Sequence, residues 1–175
     1  MIYLGADHRG FKLKEKIKQW LLEWGYIFED MGALEYNQDD DYTDFVSKVA
    51  QKVSENPENN KGIVLGMSGQ GEAIVANKFK EVRAVVFYGP SNRYWIWTFL
   101  LGFWSALVGF LIYRDNFKKI VQLSKEHNDA NILSLGASFL HDKLAKYAIK
   151  NWLETKFSGE ERHVRRINKI KALEK

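Results

Sequence analysis

Residues Ile63 to Lys78 read I-V-L-G-M-S-G-Q-G-E-A-I-V-A-N-K: a short apolar run, a glycine-spaced turn and the start of a helix. Strand, turn and helix in that order form one unit of a parallel α/β fold. Gly69 and Gly71 permit the φ values that aim successive backbone N–H groups at one point, and the helix adds the partial positive charge of its N-terminus. The turn can therefore hold an anion. Just beyond it, Glu72 sets a carboxylate beside donors that stabilise an oxyanion. Proton abstraction next to a carbonyl needs both: a base, and a shelter for the enolate charge. Taken alone, the pattern also fits a generic phosphate loop.

Working outward, Ile2 to Ala6 reads as an apolar strand and Phe11 to Trp24 as a helix with Leu13, Ile17, Trp20, Leu21 and Trp24 on one face. Gly25 is placed to cap that helix. Tyr26 to Asp30 reads as a second strand, and Asp41 to Ser54 as a helix burying Phe45, Val46, Val49 and Val53. The linker Glu55 to Lys61, E-N-P-E-N-N-K, is polar and turn-forming. Arg83 to Tyr88 and Asn131 to Leu135 supply two further strands. Asp142 to Thr155 predicts a helix with Leu144, Ala148, Ile149 and Trp152 inward, and a last basic helix starts at Gly159. This alternation predicts the α/β class, as a Rossmann-like three-layer α/β/α sandwich around a five-stranded parallel sheet, forming a single domain over 1–175. Ligands in such sheets gather at the carboxyl ends of the strands. The glycine turn, the Asp7-His8 pair and the His127-Asn128-Asp129 run are read as coming to one edge.

Composition narrows the chemistry. The 175 residues are 46% hydrophobic and 14% aromatic, enough for one substantial core. Without cysteine, a disulfide framework, a thiolate zinc site and a cysteine nucleophile are all excluded. The opening M-I-Y-L-G-A-D is already a strand, which predicts no secretory signal and a cytoplasmic protein. A net charge of +4, concentrated in Arg162 to Lys175, suits a solvated helix or a small anionic ligand. No interleaving of aromatic and basic residues supports nucleic-acid binding.

Five ordered stretches carry a family likeness: G-A-D-H-R-G-F-K-L-K at Gly5 to Lys14, D-Y-T-D at Asp41 to Asp44, the Gly66 to Lys78 motif, E-H-N-D-A-N at Glu126 to Asn131, and E-R-H-V-R-R-I at Glu161 to Ile167. The sequence resembles the type B ribose-5-phosphate isomerases and their allose- and galactose-6-phosphate relatives. That resemblance implies an aldose–ketose isomerase working through a cis-enediolate, without metal or organic cofactor, as a homodimer with shared active sites. It implies ribose 5-phosphate as substrate, with hexose 6-phosphates (allose or galactose) as the alternative; a membrane-associated sugar-phosphate-binding protein without turnover is the second reading the residues leave open. Many relatives carry a cysteine at the position of Gly66, whereas others carry a glutamate at that of Glu72. This chain has only the glutamate. By the resemblance, Glu72 moves the proton, Ser68 relays or stabilises protons on O1 and O2, and His127 opens the sugar ring. Gly69, Gln70 and Gly71 hold the enediolate through their N–H groups, Asp7, Tyr42 and Asn128 contact the sugar, and His8, Arg162 and Arg166 take the phosphate.

Plainer roles stand beside these. An Asp after a strand often caps the next helix, which suits Asp7. His141 reads as structural, and His163 as surface or a secondary phosphate ligand. Of the four histidines, however, three fall inside the family motifs, which favours function. The chain also departs from the family pattern. Ser138 stands where many relatives carry a phosphate-contacting arginine, Thr43 replaces a proline, and Met67 replaces a small residue.

The largest departure is an apolar insert at about 91–114. Its centre, Tyr94 to Tyr113, holds twenty residues without a charge between Arg93 and Arg114. Twenty helical residues span roughly 30 Å, the thickness of a bilayer core. A single crossing would nevertheless divide one packed sheet between two sides of a membrane. The segment therefore reads as apolar surface buried against protein or as a peripheral membrane contact, rather than a span.

Overall fold

The computed structural model describes residues 1–89 and 119–174. The apolar stretch 94–113 lies outside the described residues. Five parallel strands form the sheet: β1 (Ile2–Ala6), β2 (Phe28–Asp30), β3 (Lys61–Gly66), β4 (Ala84–Phe87) and β5 (Ile132–Gly136), in the order β2-β1-β3-β5-β4. The helices are α1 (Phe11–Glu23), α2 (Tyr42–Glu55), α3 (Gln70–Ala76), α4 described over 119–128, α5 (Asp142–Glu154) and α6 (Glu161–Lys171). The three-layer α/β/α prediction holds.

Strand alternation divides the core between two faces. Ile2, Leu4, Ala6, Ile63, Leu65, Leu133 and Leu135 pack with Leu13, Ile17 and Leu21 of α1 and with Ala145, Ala148, Ile149 and Trp152 of α5. Tyr3, Val64 and Ile132 face the other way, against Val46, Val49, Ala50 and Val53 of α2 and Ala76 of α3. Central strands covered on both sides read as continuous apolar runs, which is why β1, β3 and β5 stand out in the sequence.

Several boundaries move by a residue or two, and three of them have a clear local reason. β2 begins at Phe28 rather than Tyr26, because the Tyr26 N–H closes the end of α1 on the Leu21 carbonyl at 2.9 Å. That bond and the one from Gly25 N–H to Leu22 O form a Schellman cap. β4 begins after Arg83, whose N–H is taken by the Asn131 side chain at 2.7 Å. α6 begins at Glu161, two residues past the turn at Gly159. Phe45 and Leu144 are half-buried rather than core.

The apolar pattern of α1 conceals one polar core residue. Lys14 is fully buried, and its Nζ donates to both oxygens of Asp30, at 2.6 and 2.7 Å, and to the Ala33 carbonyl at 2.7 Å. Asp30 also accepts from the Gly32 N–H at 3.0 Å. One ammonium thus ties α1 to β2 and to the loop that leads into α2. Desolvation pushes the Asp30 carboxyl up, but the bonds from Lys14, Lys18 and Gly32 outweigh it and hold the group below its ordinary value.

Removing one partner of a buried pair strands the other charge, so Lys14→Ala is expected to lower stability by about 3 kcal/mol in urea unfolding. Because the folded-state Asp30 value is depressed, its contribution is present above the unfolded carboxylate value and fades as pH falls toward the folded one. Wild type should lose stability over that acid window, and Lys14→Ala less so.

Candidate active site

Glycine positions decide the carboxyl edge of the sheet. β3 ends at Gly66, where an added Cβ would overlap Glu72 Oε1. The Glu72 carboxylate, from the first turn of α3, therefore fills the place of the missing side chain, and the residue is only 4% exposed. Burial pushes its carboxyl above the ordinary value; its own N–H opposes this, and the neighbouring Asp7 carboxylate adds to it. The intervening turn passes through Gly69 at φ 76°, the left-handed region that glycine adopts without strain.

The turn is held from β5. Ala137 and Ser138 donate backbone N–H bonds to the carbonyls of Gly66 and Met67, at 2.9 and 3.1 Å, and Ser134 Oγ donates to that of Gly69. Ser138 thus braces the turn through its backbone. Within the turn, the Gln70 N–H reaches Ser68 Oγ at 3.3 Å. The Tyr42 ring packs close against Gly71, where an added Cβ would approach to 2.9 Å. Asp7, buried just after β1, accepts the N–H groups of Arg9 and Gly10 at 2.9 and 3.0 Å, so it closes the turn that leads into α1 rather than capping the helix, whose N-cap residue is Gly10. His8 leans on Asp40, a residue that no pattern singled out. Asp7, His8, Tyr42, Ser68, Gly69, Gln70, Gly71 and Glu72 all belong to this edge.

His127 and Asn128 lie elsewhere. They end α4 and precede β5, placing them at the amino end of that strand. β5 runs from Ile132 to Gly136, about 13 Å at roughly 3.3 Å per residue. The expectation of a single edge therefore fails within one chain, because a residue before a parallel strand cannot meet those that follow its neighbours. Arg83 fastens this second group, donating from Nε to the carbonyls of Asn128 and Asp129, at 3.0 Å each, and from Nη2 to Asp129 Oδ2 at 2.9 Å.

Here His163 is buried rather than surface. Its ring is 1% exposed and stacks on His127 with centroids 4.2 Å apart, while its Nδ1 meets the His127 carbonyl at 3.0 Å. His127, Asn128 and Arg166 line a cavity of about 360 Å³ beside Val85, Val86 and Phe87 of β4. Arg162 is exposed and turns to Glu160, with Nε 2.8 Å from Oε2. His141 caps α5 through Nδ1, as a structural histidine would. Among the described residues, no group of three or more His, Asp or Glu side chains is placed to hold a metal ion.

A desolvated carboxylate at the edge of a parallel sheet, one turn of chain from backbone donors, can shuttle a proton beside a carbonyl. The class so defined is a proton-transfer enzyme, and aldose–ketose isomerisation is a reaction of that kind. The sequence profile described as "Ribose/Galactose Isomerase" matches residues 2–92 and 116–170. The chain belongs to that family. Ribose-5-phosphate isomerase B of Escherichia coli is 34% identical over 173 residues, covering 99% of this chain and 95% of the relative. That of Mycobacterium tuberculosis is 32% identical over 167 residues, covering 95% and 85%. The structure of the Mycoplasma genitalium isomerase with bound ribulose-5-phosphate superposes with a TM-score of 0.79 at 29% identity, covering 98% of this chain and 93% of that one. The profile leaves out 93–115, most of the apolar insert. No helix among the described residues is long and apolar enough to cross a membrane.

Two outcomes follow from the packing of Glu72. Gly66→Ala should displace the carboxylate and cut kcat by about two orders of magnitude or more, the scale of general-base catalysis, with the circular dichroism spectrum unchanged. Burial penalises the ionised carboxyl, so the fold gains stability as pH falls through the raised Glu72 value. Glu72→Gln should therefore melt above wild type at pH 8, with the difference shrinking as pH falls through the raised Glu72 value toward the ordinary carboxylate range.

Proposed function

We propose that the chain interconverts ribose 5-phosphate and ribulose 5-phosphate through a cis-enediolate, with Glu72 as the base. The observation that carries this reading is the Glu72 carboxylate, buried in the space beside Gly66 and adjoining the Ser68 to Gly71 turn. On the open-chain aldose, Glu72 takes the proton from C2 while the C1 carbonyl oxygen gains the negative charge. The same carboxyl returns that proton to C1, and the O2 proton passes to O1 with Ser68 as relay. The N–H groups of Gly69, Gln70 and Gly71 face the developing charge. A binder without turnover has no use for a base buried at such cost, so the enzyme reading is preferred. A phosphorylated sugar is a metabolite of the cell interior, which suits a cytoplasmic enzyme.

The split between the two residue groups supports a shared site. In a two-fold homodimer, His127, Asn128 and Arg166 of one copy complete the edge formed by Asp7, His8, Tyr42 and Glu72 of the other. His127 then opens the furanose ring, Asp7, Tyr42 and Asn128 hold the sugar, and His8 and Arg166 bind the phosphate. Arg162 joins them on leaving Glu160, since a phosphate dianion offers it a stronger fork partner.

A coupled assay with ribose 5-phosphate tests the activity. Glu72→Gln should lower kcat by about two to four orders of magnitude with a smaller change in binding, the pattern of a lost general base. Turnover close to wild type in that variant would remove Glu72 from the role. For the shared site, co-expressed Glu72→Gln and His127→Ala chains should recover about a quarter of wild-type activity, because half the dimers are mixed and each holds one intact site. No recovery in a verified mixed dimer would place both residues in one chain's site.

A further inference from the structure

We propose that Asp40 is the positioning residue for His8, fixing the imidazole with hydrogen on Nδ1 so that Nε2 is the nitrogen offered to the substrate phosphate. This rests on the sugar-phosphate reading above. Asp40 sits in the loop between β2 and α2, two residues before Tyr42, with a side chain 7% exposed. Its Oδ1 accepts twice from the same residue, from the His8 backbone N–H at 2.9 Å and from His8 Nδ1 at 2.7 Å. A carboxylate oxygen can only accept, so Nδ1 must carry the hydrogen whatever the charge on the ring. Two bonds from one oxygen fix both the start of the loop after β1 and the rotation of the ring. Tyr36 closes the ring edge-on, with centroids 6.4 Å apart.

The second oxygen, Oδ2, is buried and has no hydrogen-bond partner among the described residues. A buried carboxylate left half satisfied is costly, and only a compensating charge justifies it. That charge is supplied when His8 donates to phosphate from Nε2, because the ring then carries two N–H groups and is a cation. Asp40 neutralises on one side what the phosphate neutralises on the other. The loop is itself anchored by the Lys14–Asp30–Gly32 bonds, so the carboxylate meets His8 from a fixed frame.

The proposal is tested on the full chain with Asp40→Ala, the near-isosteric Asp40→Asn, His8→Ala and the His8→Ala/Asp40→Ala double variant. In nitrogen-15 spectra of the free protein, His8 should show hydrogen on Nδ1 in wild type and in Asp40→Asn, and shift toward Nε2 in Asp40→Ala. Asp40→Ala should raise KM for ribose 5-phosphate about tenfold, the loss of one charge-assisted contact, with kcat within about threefold. In the His8→Ala background the same change should raise KM less than twofold, because Asp40 acts through His8. Hydrogen on Nε2 alone, with none on Nδ1, in wild type would overturn the proposal, as would an undiminished tenfold effect without His8. The tautomer is read without substrate, so it stands or falls apart from the isomerase reading, which the wild-type assay decides.

Discussion

The pairing of β3 with β5 is the constraint from which the carboxyl edge is built. Gly66 is level with Gly136, and the chain beyond β5 continues the ladder onto the carbonyls of Gly66 and Met67. Those bonds hold a glycine turn in an arrangement that its own sequence would leave loose. Ser134, in the middle of an apolar strand, adds its hydroxyl to the Gly69 carbonyl. The two core faces then fix what the ladder cannot, since α2 brings Tyr42 onto Gly71 and the turn between β1 and α1 presents Asp7 and His8. Stability and site geometry share these contacts, so neither can be altered alone.

The second residue group depends on different physics. Nothing in the sheet places His127; it is held by the stacked His163 ring, by the Arg83 guanidinium across the following turn, and by Lys125, which bonds Asp129 and the Ala130 carbonyl. Each is a charged or polar side chain with little exposure, serving backbone carbonyls that would otherwise be unsatisfied in a tight connection. The outer group therefore rests on polar clamps and the inner one on close backbone approach.

That division explains what could be read in advance. The strands β1, β3 and β5 and the helices α1, α2 and α5 announce themselves, because double-sided burial and 3.6-residue periodicity leave marks in composition. The glycine turn is legible as an anion-holding loop from its spacing, whereas the choice of its glutamate over a generic phosphate loop comes with the family resemblance. Contacts between residues distant in sequence leave no such mark. Lys14 inside the apolar face of α1, Asp40 against His8, and His163 beneath His127 are each ordinary charged residues in the sequence, and only the fold pairs them. The placement of His127 at the amino end of β5 is not legible in the sequence, because adjacency to a strand says nothing about which end of the sheet is meant. β2 and β4 are shorter than the strand pattern predicts, because a cap and an asparagine side chain take backbone groups that the pattern alone assigns to the ladder.

The overlap between a side chain at residue 66 and the Glu72 carboxylate has an evolutionary consequence. The family resemblance describes two solutions, a cysteine at the first position or a glutamate at the second, and with Glu72 packed as it is here the two side chains would overlap. A lineage passing between them must cross either an overfilled intermediate holding both or an empty one holding neither. The second is sterically sound but lacks a base. Relatives should accordingly divide into two discrete groups at these positions, with the substitutions inherited together.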